Sequence, residues 1–167
     1  MIQKATLSQL SQIMAIYETA RAFMAQSGNP DQWGVAYPPE EMIRQDILDG
    51  KSYVNLDGDT VRAVFYFAVE EAPTYGYIEG AWLNDAPYGL IHRIAVGESG
   101  KGVAAECFAF AEAHCSNLRI DTHEKNIPMQ RCLKKLGFTR CGIIYLEDGD
   151  PRIAYQKVIK NGERTCT

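Results

Sequence analysis

Three glycines fall within six residues, at Gly97, Gly100 and Gly102, in a stretch that reads Gly-Glu-Ser-Gly-Lys-Gly-Val-Ala. An apolar run over residues 90–96 precedes them, and a helical pattern reaching Cys115 follows. A strand that feeds a glycine turn at a helix start is an anion site. The first helical turn leaves backbone N–H groups unpaired, and the helix dipole favours negative charge there. Glycines let a phosphate approach the backbone with no Cβ in the way. A second strand pattern over residues 118–122 then leads to His123 and Asn126. Imidazole titrates near neutrality, so His123 is a candidate proton carrier, and Asp121 shares its strand face by alternation. The competing reading of a strand-end histidine is structural.

Spacing separates the families that use such a turn. A nucleotide-hydrolase phosphate loop needs G-x-x-x-x-G-K-[ST]. With Gly100-Lys101 as its G-K, the first glycine falls on Ala95 and the hydroxyl on Gly102, so both ends fail. The dinucleotide fingerprint G-x-G-x-x-G/A fits Gly100, Gly102 and Ala105, with Asp121 near the place of a ribose-binding acid. Residues 97–99 nevertheless separate the strand from that first glycine, and too few strand–helix units follow for a doubly wound sheet.

The chain resembles the GNAT superfamily of acyl-coenzyme A N-acyltransferases. The family loop is Q/R-x-x-G-x-G/A. Gly100 and Gly102 take its glycine positions, and Gly97 stands where Gln or Arg is usual. The family's Asn after the next strand matches Asn126, and its helix ending in Gly-Phe matches Gly137-Phe138. The specific match covers residues 90–157, and the element order extends it to residues 1–167 as a single domain. The resemblance implies an α/β (α+β) fold with a mixed, mostly antiparallel, splayed sheet flanked by helices. It also implies acetyl-coenzyme A as cosubstrate, no metal, and direct attack of a primary amine on the thioester. The acceptor is then a small-molecule amine, an amino acid or a peptide-like amine.

The same resemblance distributes roles. Ser99, Gly100, Lys101, Gly102, Val103 and Ala104 surround the pyrophosphate, and the backbone of Ile94, Ala95 and Val96 pairs with the pantetheine amides. Asn126 bonds the pantetheine arm or caps the following helix, two compatible readings. Many relatives protonate the leaving thiolate with a Tyr at the position held here by Leu133. Catalytic candidates that remain are His123, as base or acid, Glu79 through water, and Tyr145 as acid. His92 is a further candidate and His114 reads as surface. Cys132, beside Leu133, reads as a small core residue. Trp33, Tyr37 and Trp82 are candidates for the acceptor pocket, with core or rim packing as the competing reading.

Composition sets the remaining bounds. The 167 residues are 46% hydrophobic and 23% charged, with a net charge of -4, which suits one globular domain. No basic block suggests nucleic acid, and no apolar run suggests a membrane. Five cysteines without C-x-x-C read as reduced thiols in a cytoplasmic protein. A homodimer is one open assembly state.

Periodicity predicts a short strand over residues 1–5 and a helix to residue 26 capped by Thr6 and Gln9. A helix opened by Pro38-Pro39 follows, then a three-strand meander over 52–56, 61–70 and 75–83, the last holding Glu79 and Trp82. After the central elements and the Asn126 helix comes a hairpin about Asp148-Gly149. Three functions compete: an N-acetyltransferase, a GNAT-fold protein that binds acyl-coenzyme A without efficient catalysis, and a nucleotide-dependent oxidoreductase of the dinucleotide fingerprint. Calorimetry distinguishes the last: acetyl-coenzyme A should bind and NAD should not, and the reverse result would sink the fold reading.

Overall fold

The computed structural model describes residues 1–98, 101–160 and 166. The strands are β1 (Ile2–Lys4), β2 (Ser52–Asp57), β3 (Thr60–Val69), β4 (Glu79–Gly80), β5 (Gly89–Val96), β6 (Asn117–Thr122), β7 (Thr139–Tyr145) and β8 (Pro151–Val158). The helices are α1 (Leu10–Gln26), α2 (Glu40–Leu48), α3 (Val103–His114) and α4 (Ile127–Lys135). One hydrogen-bonded sheet runs in the order β1-β2-β3-β5-β6-β8-β7-β4. It is mixed and mostly antiparallel. The β5–β6 ladder is parallel and covers Gly89↔Leu118 and Leu90↔Arg119. Two compact units divide the chain, Met1–Phe67 with His92–Phe110, and Ala68–Ile91 with Ala111–Thr167.

In the first unit, the expected capping box forms: Gln9 Oε1 accepts the Thr6 N–H at 3.0 Å. The turn it closes, Leu7–Gln9, is 3₁₀ before α1 begins. Leu10, Ile13, Ile16 and Tyr17 make the buried stripe of α1, and they pack with Ile43 and Ile47 of α2 and Val54, Leu56, Val61 and Val64 of the hairpin. Leu7 and Phe23, which fit the helical period, stay 43% and 44% exposed, so the stripe is narrower than the pattern suggests.

Arg93 interrupts β5. Its φ is +48°, a left-handed conformation that a non-glycine residue adopts at a cost of about 1 kcal/mol or more. The Tyr17 hydroxyl donates to its carbonyl at 2.8 Å, and its guanidinium pairs with Asp46 and lies 4.7 Å from the Tyr66 ring centre. Burial raises the Asp46 carboxyl above its usual range, and Arg93 opposes that rise.

In the second unit, β6 and β8 pair from Asn117↔Val158 to Thr122↔Ile153, and β7 and β8 form the expected hairpin. A buried polar network fastens the chain around residue 84. Gln156, fully buried, donates through Nε2 to Asn84 Oδ1 and Asn117 Oδ1 and accepts the Leu83 N–H at 2.7 Å. Asn117 Nδ2 donates to the carbonyls of Ala86 and Pro87.

Two expectations need correction. Residues 75–83 are not a third meander strand: Pro73–Tyr75 is a 3₁₀ turn, and only Glu79–Gly80 is extended, paired with β7. Trp82 therefore sits in a loop, where its indole N–H donates to the Tyr75 carbonyl at 3.0 Å. Alternating residue types in this stretch follow side-chain packing rather than a ladder. The cysteines are not all free, since Cys115 and Cys166 form a disulfide; Cys107, Cys132 and Cys141 are thiols. Sequence spacing gave no hint of a pairing across 51 residues. Among the described residues, no helix is long and apolar enough to cross a membrane.

Glycines make the β4–β7 contact possible. Gly80 lies opposite Gly142, both at positive φ, and a Cβ on Gly142 would stand 2.0 Å from the Glu79 carbonyl oxygen. Gly142→Ala should therefore push β4 off β7. The reporter is the Ala81 N–H, which donates to the Cys141 carbonyl at 3.1 Å. Its hydrogen exchange should accelerate about tenfold or more, as expected for a local loss of about 1–3 kcal/mol. An unchanged exchange rate would mean that this contact tolerates a side chain.

Candidate active site

The glycine turn heads α3. Ser99 and Gly100, expected at the pyrophosphate, lie outside the described residues. Gly102 adopts φ +74°, and no atom of the described residues lies within 4 Å of where a Cβ would be. The space above this backbone is open, which fits a phosphate cradle, and Lys101 is exposed beside it. Val103 is buried and starts the twelve-residue helix, while Ala104 is half-buried. Upstream, Ile94 and Ala95 are buried and Val96 is partly exposed. Gly97 donates its N–H to the Arg62 carbonyl at 2.9 Å, and a Cβ there would lie 3.5 Å from the same oxygen, an ordinary contact. No steric reason thus excludes the Gln or Arg usual at that place.

Asn126 is a helix cap. It is buried, and its Oδ1 accepts the Met129 N–H at 3.2 Å at the start of α4. His123 is also buried. Its Nδ1 accepts the Lys125 N–H at 3.1 Å, and its carbonyl accepts the Asn126 N–H. A neutral ring that accepts at Nδ1 carries its proton on Nε2, so in this arrangement Nε2 is a donor. Acting as a base would require His123 to give up the Lys125 bond.

Glu79 and Tyr145 come together. The Tyr145 phenol hydrogen-bonds to Glu79, and that bond is the main cause that raises the phenol above its ordinary value; Glu79's charge adds to it. Leu133, at the place of the family Tyr, is fully buried on α4. Burial raises the Cys132 thiol and pushes Cys107 up to about 12, so both stay protonated side chains. His92 faces the Tyr66 ring at 5.9 Å.

The three expected acceptor aromatics fall in both units. Trp33 and Tyr37 belong to the first unit, where Trp33 packs edge-on against Tyr17 and joins the core cluster. Tyr37 lies beside Trp33 in a tilted pair with ring centres 6.3 Å apart, and its hydroxyl is 3.5 Å from an Arg93 guanidinium nitrogen. Trp82 lines a cavity of about 410 Å³ in the second unit. Its neighbours there were not singled out from sequence: Arg119, Tyr75, Tyr88 and the acids Glu70, Glu71 and Asp85. Tyr75 donates to Asp121 at 2.6 Å, and burial first, then Asp121, raises its phenol well above the ordinary value. Arg119 lies 4.1 Å from the Trp82 ring centre and 4.2 Å from that of Tyr88. Alternation along residues 117–122 does place Arg119 and Asp121 on one face, a signal available in the sequence. Among the described residues, no group of three His, Cys, Asp or Glu side chains is arranged for a metal.

A mixed, mostly antiparallel sheet, with a glycine turn heading a helix and an Asn-capped helix after the next strand, defines the acyltransferase class suggested by the motifs. A GNAT-family acetyltransferase from Streptococcus agalactiae 2603 matches with a TM-score of 0.86 and 34% identity, over 96% of this chain and 96% of that one. An assigned acetyltransferase of Staphylococcus aureus Mu50 matches with a TM-score of 0.71 and 25% identity, over 96% and 99%. A GNAT-family acetyltransferase from Listeria monocytogenes 4b F2365 shares the fold at 19% identity and a TM-score of 0.70, over 95% and 94%. No family model matches the sequence, and no curated protein does. The chain belongs to the GNAT acetyltransferase family.

The turn generates a direct test. In Gly102→Val the Cβ meets no atom of the described residues, but the change forces a β-branched residue to positive φ and fills the open space. Coenzyme A affinity should fall by about a hundredfold or more while the variant still folds, losing about 1–2 kcal/mol to backbone strain. Wild-type affinity by calorimetry would remove the turn from the binding site.

Proposed function

We propose that the protein transfers an acetyl group from acetyl-coenzyme A to a primary amine of a small molecule, amino acid or peptide-like acceptor by direct attack. The observation that carries this reading is the 34% identity to a GNAT-family acetyltransferase over 96% of the chain. The open Gly102 backbone at the head of α3 supports it chemically, because it suits a pyrophosphate. When bound, the cosubstrate supplies an activated acyl carbon and a thiolate leaving group.

In this reading, Ser99, Gly100, Lys101, Gly102, Val103 and Ala104 hold the pyrophosphate, the backbone of Ile94, Ala95 and Val96 takes the pantetheine amides, and Asn126 orders the start of α4. An ammonium cannot attack, and a lysine-type amine has an ordinary pKa of roughly 10.4, so a proton acceptor is needed. Glu79 takes that proton through water and passes it to solvent. As the now neutral amine nitrogen bonds the acyl carbon it gives a second proton to Glu79 through the same water, and as the C–S bond breaks the sulfur takes the Tyr145 proton. Glu79 then returns its own proton to the phenolate. The coupling has a physical logic. Anionic Glu79 is what raises the Tyr145 phenol, so its neutralisation makes the phenol a stronger acid when the sulfur leaves. His123 contributes its Nε2–H as a hydrogen-bond donor toward the developing thiolate.

A second reading is an acyl-coenzyme A-binding protein with little catalysis, favoured by the fully buried Leu133 where relatives carry a phenol. A thiol-release assay over a panel of amines decides between them. Release with at least one amine is expected; binding without release would establish the second reading. Glu79→Gln and Tyr145→Phe should each lower turnover by about 10²-fold, and the double variant should be no worse than either alone, because the two act as a unit. Simple additivity of the two losses would refute the relay. His123→Gln should lower turnover less and leave the pH profile in place.

A further inference from the structure

The cavity beside Trp82 is lined by a cation that makes no ion pair among the described residues, although the nearby Asp85 charge favours it. Arg119 is 5% exposed. Its guanidinium lies between the rings of Trp82 and Tyr88, donates to the Asn84 carbonyl at 2.7 Å and hydrogen-bonds the Tyr88 phenol. All of these partners are neutral, and Arg119 Nε–H has no hydrogen-bond partner among the described residues. No carboxylate among them lies within ion-pair distance of this guanidinium either. A buried charge with only neutral partners and an unused donor is an arrangement that a ligand oxygen anion completes.

The other charges lining the cavity have the opposite sign. Glu70, Glu71 and Asp85 line the same space, with Glu71 and Asp85 exposed. Three carboxylates repel a simple anion such as phosphate, and Arg119 repels a simple cation. The combination selects a molecule that carries both charges a few ångströms apart. The volume, about 410 Å³, is that of a small-molecule site, and the Tyr75 and Trp82 rings offer an apolar wall.

We propose that this cavity binds a free α-amino acid, its carboxylate on Arg119 and its ammonium toward Glu71 and Asp85. Calling that ligand the acceptor amine rests on the acyl-transfer reading above; the binding itself does not.

The chain has two tryptophans, which allows a site-specific measurement. The Trp82 indole N–H, held by the Tyr75 carbonyl, is the reporter in proton–nitrogen correlation spectra, and Trp33 is the internal control. The twenty common α-amino acids are titrated without coenzyme A. At least one should shift the Trp82 signal saturably and leave Trp33 in place. Its C-terminal amide and its N-acetyl derivative, each lacking one charge, should bind about tenfold more weakly or worse. Asp85→Asn with Glu71→Gln, at exposed positions that leave the fold intact, should weaken the free amino acid to a similar degree. Arg119→Lys, which keeps the charge and loses the Nε–H, should weaken it as well. The proposal is overturned if no amino acid moves Trp82, or if the amide and the N-acetyl form bind as well as the parent. Thiol release from acetyl-coenzyme A with an unmoved Trp82 would leave the acyl-transfer reading standing and end this one. Saturable binding without thiol release would do the opposite.

Discussion

A cation in the middle of a strand is the constraint on which the first unit depends. Arg93 leaves the extended region within β5, a conformation disfavoured for any residue with a Cβ. Three contacts hold it there: the Asp46 carboxylate from α2, the Tyr66 ring from β3 and the Tyr17 hydroxyl from α1. Each comes from a different element, so the break in β5 and the packing of both N-terminal helices are one problem with one solution. The strand then delivers Ile94, Ala95 and Val96 to the glycine turn. Buried ion pairs of this kind add little net stability over an apolar alternative, and here the pair fixes a backbone conformation.

The second unit solves a similar problem with neutral groups. A loop between Leu83 and Pro87 has backbone donors and acceptors to satisfy, and buried Gln156 and Asn117 satisfy them from β8 and β6. Amide side chains carry both donors and acceptors, which lets two residues serve several carbonyls and N–H groups at once. That loop fixes Trp82 and Asn84, and with them the cage around Arg119.

The absent family phenol is the main chemical departure. Leu133 is packed into the unit's interior, so no polar group can act from its place. The Glu79–Tyr145 pair gains interest for this reason. Its geometry depends on two glycines that let β4 approach β7 so closely that no side chain fits between them. A two-residue strand would be a weak platform otherwise.

Sequence alone determined the helices, most strands and the family. The period of α1, the Pro38-Pro39 opening, the Asp57-Gly58 and Asp148-Gly149 turns and the Gly102 helix start are local signals with local causes, and each stands in the structure. The Asn126 cap was legible for the same reason, because a side chain and an N–H three residues apart are all it needs. What only the tertiary structure decided involves partners distant in the chain. Residues 75–83 carry strand-like residues, yet Tyr75 is spent on Asp121 and Trp82 on Arg119, and the remnant strand pairs with β7 instead of β3. The meeting of Glu79 with Tyr145 and the Cys115–Cys166 bond are likewise set by packing. Periodicity reports which side of an element is buried; it carries no information on which distant side chain will meet it there.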